Sequence, residues 1–591
     1  MPSLFHLRRT LKDFRRTFGD PVLAVGLIIA VLFVVITILL PIFSMVSAGL
    51  SGEGLTNLQR FIGDPVYLTI IRNTIVMGLT VAVAGTLLGF LFAYVQVKVK
   101  VPFKRFMHVI ALIPIISPPF ALASAIIILF GRNGLVTKGI FDTRCLWGEG
   151  RGCNDIYGLD GLTLVLSLSL FTVAYMNLKG MLEALDPALD EAATNLGGSK
   201  WHIFRTVTVP MLVPGLAGSF LLLFVEAIAD LGNPLVLGGN YEVLATRIYI
   251  SIVGLFDTNA SAALSVILLI PSLTVFLVQR YWISRASVVS VTGKPTGKPQ
   301  QIEHPVVRWT LFAVVMAVCV LIVAIYGTIF VGAFTEVLGV NNTFTLSHFD
   351  FVINGYGAEA MTDTTLLSVV ATPIAGLMGI FIAFLVVRKP FPGRGALDFA
   401  TMLGIALPGT ILGIGYLIVF NNPIELTIPI GETPLVIPLI PKLTGGRALL
   451  GGALAIILVY IVRSVPAALR SGVSLLSQID PAIEEASTSL GANNAQTFRR
   501  ITLPLIRPAF LSGLMYAFAR SMTTISAIVF LTTPQTKIMT AQILNEVENG
   551  RFGNAFAYCV ILILIVIFTI GVLTYVVGGS SAATRGLQGG R

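Results

Sequence analysis

The sequence predicts an all-α polytopic membrane protein made of two parallel six-helix repeats in one chain. Three observations carry that expectation. Apolar residues make up 55% of the 591 and charged residues 12%, whereas a soluble protein is roughly a quarter charged. Runs such as "VLAVGLIIAVLFVVITILLPIF" and "AFAYCVILILIVIFTIGVLTYVV" recur along the chain, each near the ~20 residues that an α-helix needs to cross hydrocarbon. The phrase "DPALDEAATNLGG" at Asp186 returns as "DPAIEEASTSLGA" at Asp480, which marks an internal duplication.

Twelve candidate spans follow from the apolar runs, near 21–44, 74–96, 107–130, 161–178, 211–235, 259–281, 308–334, 365–387, 398–421, 448–469, 506–533 and 556–578. They are helices, because a backbone in lipid must satisfy its own hydrogen bonds. The first run is too long for a cleaved signal and lacks a small-residue cleavage site. The basic opening "LFHLRRTLKDFRRTF" has helical spacing and reads as a surface anchor.

With a cytoplasmic N-terminus, most of the 39 Lys and Arg fall inside, among them Arg8, Arg9, Lys98, Lys100, Arg388, Lys389, Arg499 and Arg500. Both termini are then cytoplasmic. The net charge of +10 is a topology signal, and no basic, aromatic-interleaved soluble domain points to nucleic acid.

An even number of spans per half makes the repeats parallel, with the first unit at 1–295 and the second at 296–591. The polar segment "SRASVVSVTGKPTGKPQQIEHP" links them on the cytoplasmic side. The outward stretches 45–73 and 335–364 have room for short helices but are too small for an independent domain. Cys319 and Cys559 fall within spans as small core residues. Cys145 and Cys153 share the outer loop "RCLWGEGRGC", either as a disulfide that stiffens it or as two free thiols.

Both copies of the repeated phrase lie in cytoplasmic loops, 183–210 and 477–504, between the fourth and fifth spans of their halves. From Asp186 to Pro210 the copy runs gapless to Pro504, with about half of the 25 positions identical. Asp186-Pro187 and Asp480-Pro481 read as helix starts. Asp190, Glu191, Glu484 and Glu485 follow in the opening turns, where the helix dipole favours acids. Gly197 and Gly491 close the helix, and Ala192, Ala193, Ala486 and Ser487 leave a low face that another protein can approach. An ordinary interhelical loop is the plain alternative, but two gapless copies at equivalent positions speak against it.

The pattern Glu191-Ala192-Ala193, Gly197, Val207, Val209-Pro210 resembles the EAA loop of the membrane permeases of binding-protein-dependent ABC importers. So does Glu485-Ala486-Ser487, Gly491, Ile501, Leu503-Pro504. Val207 and Val209, and Ser487 in the second copy, are mild departures. The resemblance covers nearly the whole chain as two fused permease units of the type I importer fold. It implies that each loop is a coupling helix docked on one of two copies of a cytoplasmic ATPase, and that ATP and Mg²⁺ bind those subunits. It also implies a periplasmic solute-binding protein and an inner-membrane location. No phosphate-cradling Gly-x-x-x-x-Gly-Lys-Ser/Thr loop occurs in this chain, and no cofactor of its own is expected.

A carboxylate inside a span costs at least a few kcal/mol unless paired or functional. In "LLLFVEAIADLGNP" helical spacing sets Glu226 and Asp230 four apart on one face, and the repeat offset puts Arg520 at the position of Glu226. Glu226 and Arg520 are thus expected to face each other along the pathway, as a gate element or as a structural clasp. Asp230 and Asn233 are expected at a polar cavity toward the outer side. Pro118-Pro119 and Pro408-Gly409 interrupt the third and ninth spans, to shape a pathway or to pack.

Composition names no substrate. The phrases "LFGRNGLVT", "DLGNPLVLGGNYEVLATRIY" and "ARSMTTISAIVFL" are similar to ferric-iron-type permeases, whose fused relatives also serve thiamine, 2-aminoethylphosphonate or sugar phosphates. Five scattered His offer no metal-ligand spacing, and the resemblance implies that selectivity lies in the binding protein. An ion-driven secondary transporter would explain the intramembrane acids and the repeats, but not two coupling loops. A membrane enzyme would need a catalytic set, and none is found.

Overall fold

Ten helices among the described residues are long and apolar enough to cross a bilayer, and two bent helix pairs bring the number to twelve when each is counted as one span. The computed structural model describes residues 21–140, 156–281, 301–389, 391–428, 435–445 and 447–588. The N-terminal anchor, Cys145, Cys153 and most of the linker lie outside the described residues.

Prolines decide where spans break. The expected third span divides into Lys104–Ile116 and Pro119–Phe130, because Ser117, ahead of Pro118, is extended at φ −102°, ψ 152°. The ninth divides in the same way into Arg394–Ala406 and Gly409–Phe420, bent by 105°, with Leu407 extended ahead of Pro408. The fifth span differs from expectation: its helix, Val209–Ile228, stops before Asp230. Glu226 and Asp230 are therefore not neighbours on one helical face. Two antiparallel strand pairs, 335–337 with 341–344 and 424–428 with 435–440, lie between the spans.

Packing sorts the chain into two units that interleave in sequence. One holds the described residues of Met1–Ser51, Tyr356–Gln542 and Leu562–Arg591, and the other Gly52–Gly355 and Ile543–Ile561. The first span of each repeat is thus packed with helices of the other repeat. In the former unit, Pro41 lacks the N–H that would bond the Thr37 carbonyl four residues back. The helix widens into a π turn at Val35–Leu39, and the buried Tyr416 hydroxyl donates to Thr37 O at 2.9 Å. Close approach there requires glycine, since a Cβ on Gly415 would fall 2.6 Å from Pro41 O. In the latter unit, the seventh span, Pro305–Ala333, brings the Tyr326 hydroxyl to Ser117 Oγ at the broken third span.

The second and fourth spans, Pro65–Lys98 and Leu159–Ala184, cross at Gly89, where a Cβ would lie 2.6 Å from Ala174 Cβ. The eighth and tenth, Ala358–Arg388 and Ala453–Leu476, repeat this at Gly379, 2.5 Å from Ala468 Cβ. Small residues let the backbones approach where hydrophobicity provides no drive between helices.

Tyr416→Phe would leave the Thr37 carbonyl buried without its donor. It should lower stability by about 1–3 kcal/mol, read as a shift in denaturation midpoint of the purified protein in detergent. Tyr575→Phe, at an exposed position, should leave the midpoint unchanged.

Candidate functional site: two matched loop helices

The two copies of the repeated phrase fold alike. Asp186 Oδ1 accepts the Ala188 N–H at 3.0 Å at the start of the helix Pro187–Asn195. Asp480 Oδ1 accepts the Ala482 N–H at 2.9 Å ahead of the helix Ala482–Ser489. Each satisfies an amide that a helix start leaves orphaned. At the other end, the Gly197 N–H donates to Thr194 O and the Gly198 N–H to Ala193 O, matched by Gly491 to Thr488 O and Ala492 to Ser487 O. Gly197 and Gly491 have φ of 82° and 87°. No atom lies within 4 Å of a Cβ built on either, so left-handed backbone, not crowding, is what demands glycine.

Beyond each glycine the chain makes a short helical turn and widens into a π turn, Phe204–Thr208 in the first copy and Phe498–Thr502 in the second. Pro210 and Pro504 follow two residues later, and a widened turn absorbs their missing N–H groups. From there the copies differ. The first runs on as Val209–Ile228 through Pro214, whereas the second breaks at Ile506 before continuing as Arg507–Thr523.

Glu191, Ala192, Glu485 and Ala486 are exposed, while Ala193 is half-buried and Ser487 buried. The departure at Ser487 has a structural partner: its Oγ lies 3.0 Å from Thr497 Oγ1, where the first copy has Ala193 and Ile203. Apolar knobs that sequence reasoning missed stand at equivalent places. Leu196 is 89% and Leu490 90% exposed, and seven residues earlier Leu189 and Ile483 are each 43% exposed. Apolar residues held outward at the end of a capped helix are suited to burial by a partner.

Each loop helix is also tied inward. Lys98, the last residue of the second span, forms an ion pair with Asp190. Arg388, the last residue of the eighth span, pairs its Nε with Glu484 Oε1 at 3.2 Å. Both cationic side chains are only 8% exposed. Asp190 and Glu484 are 294 positions apart, like the rest of the phrase. Sequence reasoning counted Lys98 and Arg388 only as inside charges; the usable signal was a cation closing the same span of each repeat. Arg388 Nη2 also donates to Ile479 O at 2.8 Å, and Thr502 Oγ1 to Glu484 Oε1 at 3.1 Å. In the first copy the end of the linker pairs alongside, the Ile302 N–H donating to Lys98 O at 2.7 Å and Lys100 Nζ lying 3.0 Å from Glu303 Oε1.

The intramembrane residues distribute as follows. Glu226 is half-buried near the end of Val209–Ile228, and Arg520 is half-buried in Arg507–Thr523. Asp230 lies past the helix end, where its Oδ1 accepts the Asn233 backbone N–H at 2.9 Å and the Asn233 Nδ2 at 3.1 Å. It thereby caps the short helix Gly232–Leu237. Arg463 was missed: it lies within the tenth span, is 4% exposed, and donates from Nη1 to Leu407 O at the broken ninth span at 2.9 Å. The charge inside "AIILVYIVRSVPAAL" was its signal. Cys319 and Cys559 are buried. Among the described residues, no three His, Cys, Asp or Glu side chains gather to hold a metal ion.

Apolar spans carrying two matched loop helices are the features of a transport permease. A family model for the inner membrane component of binding-protein-dependent transport systems matches twice, over residues 85–288 and 375–579. The chain belongs to that family and is a multi-pass inner-membrane permease of an ABC importer. It is 33% identical to the ferric transport system permease protein of Actinobacillus pleuropneumoniae, over 95% of this chain and 79% of that one. A putative ferric transport system permease protein of Haemophilus influenzae is 32% identical, over 88% and 79%. A sulfate transport system permease protein of Salmonella typhimurium is 27% identical, over 38% of this chain and 79% of its own.

Gly197→Ala and Gly491→Ala should each destabilise the adjoining loop helix by about 1 kcal/mol, the cost of left-handed backbone for a residue with a Cβ. Amide hydrogen exchange within Pro187–Asn195 or Ala482–Ser489 should then quicken about fivefold through local opening, and asparagine should be better tolerated than alanine.

Proposed function

We propose that this chain forms the translocation pathway of an ATP-driven importer of ferric iron. The observation that carries this reading is the pair of loop helices with the same caps, the same glycine turn and the same exposed leucine. Two attachment points in one chain suit two copies of a separate cytoplasmic ATPase subunit, which would bind ATP and Mg²⁺. Leu196 and Leu490 enter grooves on those subunits, with Glu191 and Glu485 at the rim. Closure of the ATPase pair draws the loops together, and the membrane helices rock between inward-open and outward-open. Iron is the cargo on the strength of the two ferric permeases that align with most of the chain. It arrives on a periplasmic binding protein, and both termini of the permease face the cytoplasm.

Glu226 and Arg520 hold equivalent places in the two repeats and serve the pathway as a gate or a clasp, while Asp230 and Asn233 hold the turn at the outer end of the fifth span. Replacing both Glu226 and Arg520 by neutral residues separates the roles. A gate predicts altered uptake per ATP hydrolysed at unchanged stability, and a clasp predicts lost stability at unchanged coupling.

The direct test is purification with candidate ATPase subunits, followed by reconstitution with loaded binding proteins. Stimulation of hydrolysis by a ferric-loaded binding protein is expected; stimulation only by one loaded with 2-aminoethylphosphonate, thiamine or a sugar phosphate would replace iron as cargo, and failure of any ATPase to associate would overturn the reading. Leu196→Asp with Leu490→Asp should weaken ATPase association by at least about tenfold, because a carboxylate would be buried unpaired at the centre of each contact.

A further inference from the structure

The ion pairs beneath the loop helices have a geometry that docking alone does not need. Asp190 and Glu484 occupy one position of the repeated phrase, and each meets the last residue of the second span in its repeat: Lys98 in the first copy, Arg388 in the second. In both copies the cation is nearly fully enclosed by protein, so water and salt screen these pairs far less than they do a surface pair. A third element converges on the same carboxylate. Thr502, in the π turn that leads into the eleventh span, donates to Glu484 Oε1, and its counterpart Thr208 is buried and borders the same small cavity as Asp190 and Lys98. Neither acid points outward with the residues suited to a partner. Glu191, Glu485, Leu196 and Leu490 hold the exposed side of the helix, and the acids one residue earlier hold the inner side.

We infer that Asp190 and Glu484 are positioning residues for coupling: each fastens its loop helix to the cytoplasmic end of the second or eighth span, so that a displacement of the loop reaches the membrane helices as a displacement of that span. The inference rests on the reading that an ATPase docks on these loops. Mechanically, a short helix joined to the bundle only by its flanking turns can pivot at Gly197 or Gly491 without moving anything else. A buried charge pair removes that freedom, because separating it would strand both charges away from water. The two repeats use different residues for the bond, Lys with Asp and Arg with Glu, so the ion pair is kept while the side chains that make it differ.

The test uses the full permease assembled with its ATPase and loaded binding protein in proteoliposomes, with uptake per ATP hydrolysed as the readout. In Asp190→Asn combined with Glu484→Gln, the ATPase should still co-purify and hydrolyse ATP, while uptake per ATP falls about tenfold, within the usual range of coupling free energies. Exchanging the charges, as Lys98→Asp with Asp190→Lys and Arg388→Glu with Glu484→Arg, should recover most of the ratio. As a second route, Lys98→Cys with Asp190→Cys, joined by a reducible bifunctional thiol reagent, should regain coupling and lose it again on reduction. A structural role alone changes the yield of assembled protein but not the ratio in the fraction that assembles. An unchanged ratio in that fraction would overturn the inference, as would loss of ATPase binding from folded neutral variants, which would make the acids docking residues. If the unsubstituted permease itself retains no ATPase, the docking reading fails, a result distinct from either of these.

Discussion

A carbonyl or amide left without a partner in hydrocarbon costs several kcal/mol, and this chain places prolines where that cost must be met. Pro41 removes the donor for Thr37 O, and Tyr416 replaces it. The break at Leu407-Pro408 leaves a carbonyl facing the protein interior, and the guanidinium of Arg463 takes it. At Ser117-Pro118 the hydroxyls of Ser117 and Tyr326 join the break to the seventh span. Pro210 and Pro504 are accommodated by π turns. The first three repairs are also tertiary contacts, so the broken helices and the first span of each repeat are fixed by the same hydrogen bonds that make the breaks tolerable.

The repeats show which features the machine requires twice. The Asp cap, the left-handed glycine, the π turn, the outward leucine and the inward acid recur in both loops, and the close glycine crossings at Gly89 and Gly379 recur in the membrane. Side chains at matching sites vary where only contact matters, as in Ser487 with Thr497 against Ala193 with Ile203. The copies diverge past the second proline of each loop, where the first continues as one helix and the second breaks at Ile506. The first loop also has the strand-like pairing of Val99 with Ile302 beside it, a support that comes from the linker joining the repeats. The two loop helices are therefore alike in outline and unequal in backing.

Much of this was legible from residue patterns. Span number, duplication and both loop helices with their caps followed from hydropathy, the 294-residue offset and the Asp-Pro and Gly signals. The interleaving of the units was not legible, because an apolar helix in lipid carries little in its pattern to say which neighbour it will meet. The four-residue spacing of Glu226 and Asp230 presupposes that the helix continues, and it ends at Ile228. Lys98 and Arg388 were read as topology charges, since basic residues at a cytoplasmic helix end need no further reason. Arg463 lay within the expected tenth span, but its partner is the Leu407 carbonyl at a break in another span, which the local pattern does not reveal.

At the centre stands the claim that the two exposed loop helices are moved by nucleotide and carry that movement into the membrane. Spin labels on cysteines replacing Leu196 and Leu490, in the permease assembled with its ATPase, measure this directly. The distance between the labels should shorten when ATP is trapped and lengthen again after hydrolysis. A distance that stays the same across nucleotide states, in an assembly that still imports its cargo, would contradict the claim.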